Sequence, residues 1–415
     1  MRRLTLAASI AIAGACASPG TPPGGPEDHA PPRLLSVSPD TSAVGQKPKA
    51  VTFRFDEVVS ERPGSAQSLD KLVIVSPSDG APRVRWRRSA IQIRPRRSFR
   101  PNTTYSVTIL PGIADLRGNT QTSPFSTTFS TGPELTRTRL SGVVFDWVSG
   151  NPAAKAFVQA FQRGDTTFSW IAQADSAGRF ELRSFPAGSY LVRAIVDAND
   201  NRGLDPREAW DTVGVAVADS ARTEMYAFVH DTIGPRIDRV SVVDSVTLAV
   251  DFDKALDPTS PLTPARFVIL AADSTPTSVA ALPSDSSLDA ERAARARSSG
   301  DTSRRGGARD SARADSARAV RQPPRSPTES RVPLLQSGRG RGVAARVDTM
   351  PLPKPTRTPP PTRANLRLAA PLKPSATYRL RATGIRGLLG NARTSDKVFI
   401  TPKPPAPPDT TRRAP

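Results

Sequence analysis

The chain has 415 residues and a formal charge of +20, with 43 prolines, 27 glycines, one cysteine and two histidines. One cysteine excludes an intrachain disulfide framework, and one cysteine with two histidines excludes a cysteine–histidine zinc site within one chain. With about one residue in six Pro or Gly and aromatics at only 6%, the composition suits short strands and turns and argues against a helical bundle.

The first element is an export signal. Residues 1–17, "MRRLTLAASIAIAGACA", run from two arginines through an apolar stretch too short to span a membrane into small residues. Two cleavage readings are open. In "AGAC", Cys16 follows small residues as in a bacterial lipobox, whose cysteine is lipidated and becomes the first mature residue. Ala13 departs from that motif, which has a bulky aliphatic there. "ACA" also reads as an A-x-A site that would release a soluble chain starting at Ser18. The Pro/Gly-rich run after Cys16 favours the anchor, because a lipidated terminus needs a strand-poor tether to hold a folded domain off the membrane. The expectation is a signal peptide over 1–15, a tether over 16–31, Cys16 as the lipidation site and the membrane as a partner through that lipid. Ala17 after the cysteine, by resemblance to other lipoproteins, implies the outer membrane or cell surface. The alternative is a soluble periplasmic or secreted protein.

Residues 32–132 read as one domain. In "VTFRF" (51–55) and "YSVTI" (105–109) apolar and polar residues alternate, as on half-buried strands. "RPNTTY" at 100 sets a Pro-led turn before a strand, and Gly118-Asn119 a tight turn after it. Short strands punctuated by turns over about 100 residues predict a β-sandwich.

The same landmarks return near the other end. "KPSATY" at 373 answers "RPNTTY", Gly390-Asn391 answers Gly118-Asn119, "DTIGPR" at 231 answers "DHAPPR" at 28, and Asp253 answers Asp56. In the first copy Asp56-Glu57 is a carboxylate pair; in the second it is Asp253-Lys254. The recurring aspartate is the one expected to bond turn amides. Pro-Pro-Arg leading into "SVSP", "FDEV", "RPNTTYSVTI" and "DLRGN" together resemble the bacterial Ig-like domain of S-layer and surface proteins of the SbsA type. "GGPEDHAPPR" after a lipobox-like cysteine is similar to the lead-in of Ig-like lipoproteins.

Between the copies, 138–230 has another character. "SGVVFD", "NPAAKAFVQA", "DSAGRFEL" and "PAGSYLVRA" resemble the carboxypeptidase-regulatory-like or Cna-B-like sandwich of bacterial surface proteins. Its sharpest chemical motif is "DANDNRGLDPRE". Asp197, Asn199 and Asn201 stand at positions 1, 3 and 5, Asp205 at 9 and Glu208 at 12, the oxygen spacing of a calcium loop. Arg202 stands where such a loop wants glycine, with Gly203 one place later. The motif therefore carries two readings, a Ca2+ site built from these six residues (Gly203 included) or an acidic turn between strands. No other cofactor is expected.

The second Ig-like copy is split into 231–270 and 364–402. The interval 271–363 is rich in Arg, Ser, Ala and Pro and poor in large apolar residues, which predicts a disordered insertion, with "GVAARV" near 342 supplying a missing strand. A disordered tail is expected over 403–415. The fold class is thus all-β: tandem Ig-like β-sandwiches with a disordered low-complexity insertion.

For function, no G-x-S-x-G elbow or partnered histidine accompanies the serines, which argues against an enzyme. The resemblances imply a non-catalytic envelope lipoprotein with a structural or adhesive role, meeting envelope polysaccharide or other surface proteins. One alternative is a polyanion binder using the arginines of the insertion against lipopolysaccharide, extracellular DNA or acidic polysaccharide. Specific nucleic-acid recognition is not expected, because the arginines lie in low complexity rather than on a binding fold. The other alternative is a carbohydrate-binding accessory module using Trp86, Trp147, Trp170 and Trp210, which otherwise read as sandwich core or rim.

Overall fold

A computed structural model describes residues 28–63, 68–302 and 351–403. The signal peptide, Cys16, most of the tether and the tail beyond 403 lie outside the described residues. Among those described, the chain is all-β with one helix, and no helix is long and apolar enough to cross a membrane.

The first module holds β1 (Leu34–Ser38), β2 (Val51–Phe55), β3 (Val73–Ser76), β4 (Arg83–Trp86), β5 (Ala90–Arg94), β6 (Thr104–Ile109) and β7 (Phe125–Ser130). They form two sheets, in the orders β1-β2-β5-β4 and β3-β6-β7. The sequence alternation becomes the inner faces: Val51, Phe53 and Phe55 of β2 meet Tyr105, Val107 and Ile109 of β6 in one core. Each such side chain contributes about 1.5–3 kcal/mol on burial.

The middle module holds β8 (Arg139–Asp146), β9 (Phe157–Gln162), β10 (Asp165–Gln173), β11 (Arg179–Arg183), β12 (Gly188–Val196), β13 (Ala209–Val217) and β14 (Ser220–Val229). One layer is β10-β9-β12-β13 and the other β14-β8-β11, joined where Ala209 and Trp210 pair with Val229 and Phe228. Gly178 has φ +71° in the turn before β11, and a Cβ there would come 2.5 Å from the Val144 carbonyl, so the turn admits only glycine.

The third module holds β15 (Ile237–Asp244), β16 (Thr247–Phe252), β17 (Phe267–Ala271), β18 (Pro276–Ala281), β19 (Arg363–Leu368), β20 (Thr377–Arg386) and β21 (Ala392–Ile400). Their order, β15-β16-β19-β18-β17-β20-β21, repeats the two strand orders of the first module, with β18 now paired to β17 so that the two sheets become one. The shared motif has a shared mechanism. Tyr105 Oη accepts from the Arg100 N–H, and Tyr378 Oη from the Lys373 N–H. Thr131 Oγ1 donates to the Arg100 carbonyl at 2.6 Å, as Thr401 Oγ1 does to the Lys373 carbonyl. The recurring aspartate also keeps its role: Asp56 accepts from the Arg33 N–H and Asp253 from the Arg236 N–H.

Within the interval expected to be disordered, 271–363, the described residues 271–302 and 351–363 carry structure; 303–350 lie outside the described residues. Strand β19 pairs with β16 on one side and on the other with β18, which lies before the low-complexity run; "GVAARV" falls outside the described residues. Helix α1 (Asp285–Thr302) follows, fastened by Leu288, 6% exposed, and by an Arg367–Glu291 ion pair at 2.6 Å. Residues 351–361 return along the middle module.

Candidate functional site

The calcium-like loop joins β12 to β13, and the structure turns its oxygens inward on its own donors. Asp197 accepts from the Asn201 and Arg202 N–H groups. Both Asn199 Nδ2 and Asn201 Nδ2 donate to Asp205 Oδ2, at 2.6 and 2.9 Å. The Gly203 N–H donates to Asn201 Oδ1. Glu208, buried, closes the loop by accepting from the Ala198 and Asp205 N–H groups. Sequence spacing thus brought the six residues together. Their carboxylates, however, do not form a cluster of three within 4.8 Å, as another set does among the described residues.

Arg202, the departure from the calcium pattern, has a use of its own. Its φ of +58° turns the side chain out of the loop. The guanidinium donates to the carbonyls of Val73, at 2.6 Å, and Lys71 in the first module. Lys71 Nζ donates back to the Asp200 carbonyl. Burial pushes the Arg202 pKa down, and Asp70, Asp197 and Asp200 oppose that shift. Around this latch, Ile74 packs with Phe157 and Ile171, Ser78 and Ser169 exchange two main-chain hydrogen bonds, and the Ile171 N–H donates to Ser76 Oγ at 3.0 Å.

A second joint lies between the middle and third modules. The strap 351–361 sets Thr356 on Glu224 and Tyr226: Thr356 Oγ1 donates to Glu224 Oε2 at 2.7 Å, while the N–H groups of Thr356 and Arg357 donate to Tyr226 Oη. Trp147 Nε1 donates to the Thr358 carbonyl, and Arg179 to that of Pro351. Gly150, at φ +71°, is required here, because a Cβ would meet Pro359 Cγ at 2.8 Å. Burial raises the Glu224 pKa, but hydrogen bonds from Tyr226 and Thr356 outweigh it and hold the carboxyl below its ordinary value.

The group that could hold a metal ion was missed in the sequence: Asp28, Glu57 and Asp115, whose ligand atoms lie within 4.8 Å of one another. Asp115 accepts from the N–H groups of Arg117 and Asn119 and from Asn119 Nδ2; these outweigh burial and depress its pKa. Glu57 is shifted up, by desolvation first and then by Asp115, Asp28 and Asp56. The third module resolves the same crowding differently. Lys254, the counterpart of Glu57, bridges Asp231, the counterpart of Asp28, at 2.6 Å, and donates to the Ile233 carbonyl. Gly387 stands where Asp115 does, as the matching bridges Val59–Asp115 and Leu256–Gly387 show.

The tryptophans do not converge. Trp170 is in the middle core, Trp86 donates to the Val59 carbonyl, Trp147 holds the strap, and Trp210 stacks on His230 at 3.7 Å.

The fold is that of a tandem β-sandwich protein. Within it, residues 28–131 match the family model of the bacterial Ig-like domain. None of the curated proteins matches the chain. Among solved structures, the chain is similar to domains 1–6 of the surface layer protein SbsC at 8% identity, covering 91% of this chain and 55% of that one, with a TM-score of 0.19. The major pilin subunit BcpA of Bacillus cereus is 9% identical over 48% of this chain and 70% of its own, at 0.18. A putative carbohydrate binding protein from Bacteroides uniformis is 10% identical over 64% and 99%, also at 0.18.

Proposed function

We propose that this chain is a non-catalytic protein of the bacterial cell envelope, exported, lipidated at Cys16 and exposed at the outer membrane or cell surface in a structural or adhesive role. Its partners on this reading are other surface proteins or envelope polysaccharide. The match of the first module to a bacterial Ig-like domain supports the placement. The observation that carries the role is the pair of fastened joints. Arg202 ties the middle module to the first, and the 351–361 strap lies across the middle module on its way into the third. Modules with their own cores are by default free to move against one another; side-chain hydrogen bonds at both junctions suit a spacer that must hold its reach. Calcium has no part in this reading of the 197–208 loop, whose carboxylates accept from the loop's own donors.

The test is the intact mass of the mature N-terminus from the membrane fraction of an expressing bacterium. A diacylglyceryl group on Cys16 is the expected result. A chain beginning unmodified at Ser18 would refute the anchor and leave a diffusible protein.

A further inference from the structure

The two Ig-like modules differ along one sheet edge. In the first, twelve residues (39–50) separate β1 from β2, and part of that excursion lies along the outer edge of β7. Four main-chain hydrogen bonds hold it: Ser42 N–H to Thr128 O (2.7 Å), Ser130 N–H to Ala43 O (2.8 Å), Gln46 N–H to Ser130 O (3.0 Å) and Gly45 N–H to Gly132 O (2.7 Å). Thr127 Oγ1 adds a bond to the Pro39 carbonyl. Ser42, Ala43 and Gly45 meet Thr128, Ser130 and Gly132 in rising order, so this part of the segment runs in the same direction as β7, and Gln46 turns back onto Ser130. The edge is closed by irregular main chain, with Ser42 at φ +69° and Gly45 at φ +65°.

In the third module only Ser245 and Val246 separate β15 from β16. The pairs Tyr105–Phe129 and Tyr378–Phe399 set the correspondence, which places Val398, Ile400 and Pro402 where Thr128, Ser130 and Gly132 stand. Strand β15 lies beside β21 here, but among the described residues no main-chain hydrogen bond takes the place of those four. Among the described residues, β15 and β21 form no ladder, and the hydrogen bond between them runs from the Ile237 N–H to Ser395 Oγ. Val398 is 56% exposed and Ile400 69%. Further up the strand, a groove of about 780 Å³ opens between β15 and β21, lined among others by Arg236, Asp238, Arg381, Arg393, Asp396 and Lys397. Arg381 is paired with Asp396 and Arg236 with Asp253, whereas Arg393 and Lys397 have no ionic partner among the described residues.

A long bare edge is a template for another strand, and proteins ordinarily cover or charge it. Here the Val398–Ile400 end has no main-chain partner beyond β20 among the described residues, and the other end carries an excess of positive charge, Arg393 and Lys397 against Asp238. We propose that the outer edge of β21 is a strand-acceptor site for an extended segment of another protein. That segment runs parallel to β21 and pairs its main chain with Val398 and Ile400. Acidic residues precede the paired stretch and face Lys397 and Arg393. The first module shows the geometry: its own covering segment carries Asp40 just ahead of the paired residues. An acidic polysaccharide could use the charges but not the exposed N–H and C=O groups. The proposal deepens the adhesive reading by naming the class of partner.

The probe is a synthetic peptide of residues 39–46 with three glutamates added at its N-terminus, titrated into the full mature chain and followed by amide NMR. Shifts at Val398 and Ile400 with saturable binding are expected in the wild type. Ile400→Pro removes an N–H that points away from β20, and it abolishes binding with the melting temperature unchanged. Arg393→Glu with Lys397→Glu weakens binding about tenfold. A peptide that shifts neither amide at millimolar concentration overturns the site, as does binding displaced by heparin and indifferent to Ile400→Pro. Self-association through β21 without peptide would also overturn it, in favour of a second copy as the occupant. The N-terminal mass of the mature chain is independent of all these outcomes, so the envelope reading stands or falls separately.

Discussion

Arg202→Gly separates the first joint from the stability of either module. The guanidinium makes two charge-assisted hydrogen bonds to carbonyls of the first module, each contributing about 1.5–3 kcal/mol net. Two terms work the other way. The cation is desolvated by burial, which also lowers its pKa, and residue 202 sits at φ +58°, which costs a side-chain-bearing residue about 1 kcal/mol that glycine does not incur. The expected loss of coupling is about 2–4 kcal/mol, so the joint opens about 30- to 1,000-fold more often. The apolar contact of Ile74 with Phe157 and Ile171 remains, so the modules do not separate outright. Native-state hydrogen exchange reads the joint directly. The Ser169 N–H donates to Ser78 O and the Ile171 N–H to Ser76 Oγ, so both amides report opening. The core amides of Val107 and Val192 serve as controls. Faster exchange at 169 and 171 with unchanged core protection is the expected result. Equal exchange in wild type and variant would refute the latch, and equal acceleration everywhere would show that Arg202 supports the fold rather than the joint.

Glu57→Lys should give the first module the Lys254–Asp231 arrangement of the third and raise its melting temperature by a few degrees, consistent with about 0.5–1 kcal/mol for a partly exposed pair; a fall in melting temperature would contradict the correspondence. Glu57→Gln tests the same crowding by pH: a raised carboxyl pKa opposes folding once ionised, so wild type loses stability relative to the variant as pH climbs through 4.5, and the two converge in more acid solution. For Glu224 the sign is opposite. Its depressed pKa stabilises the strap above the ordinary glutamate value of 4.5 and is lost as pH falls through the folded value, so proteolysis within 351–361 should rise in acid and should rise at neutral pH in Glu224→Gln. Unchanged cleavage in both conditions would remove Glu224 from the strap's support.

What the sequence revealed was periodic or repeated. The alternation of β2 and β6 identified their inward faces, and the recurrence of "RPNTTY" as "KPSATY" located one turn whose Tyr hydroxyl and downstream Thr recur as well. What stayed hidden was long-range or lay in biased composition. "PTSVAA" forms β18 because it has β19 to pair with, although its Pro, Ser and Thr read as a loop. Arg202 read as a defect in a calcium motif, since its carbonyl partners lie about 130 residues away. The Asp28–Glu57–Asp115 group spans almost the whole first module. The one available signal was the change from Glu57 to Lys254 between copies; it shows that a cation suits that position without showing which carboxylates surround it.

The strap raises a separate question, because its contacts cannot be explained by helping the split module to close. In the first module β4 and β5 are joined by three residues, 87–89; in the third, the equivalent strands β18 and β19 are separated by 81 residues, 282–362. Loop-closure entropy grows only logarithmically, so this lengthening costs about 3 kcal/mol. With α1 and the strap docked, the chain between them is residues 303–350, and this shortening recovers only about 0.5 kcal/mol on the same scaling. Fixing the eleven residues of the strap costs more than that in backbone entropy, at about 1–2 kcal/mol per residue. Closure alone would therefore leave the strap undocked. The contacts of Thr356, Arg357 and Thr358 with Glu224, Tyr226 and Trp147 must offset that ordering cost, and every one of them is made to the middle module rather than to the module the strap belongs to. The balance of energies assigns the strap to the junction.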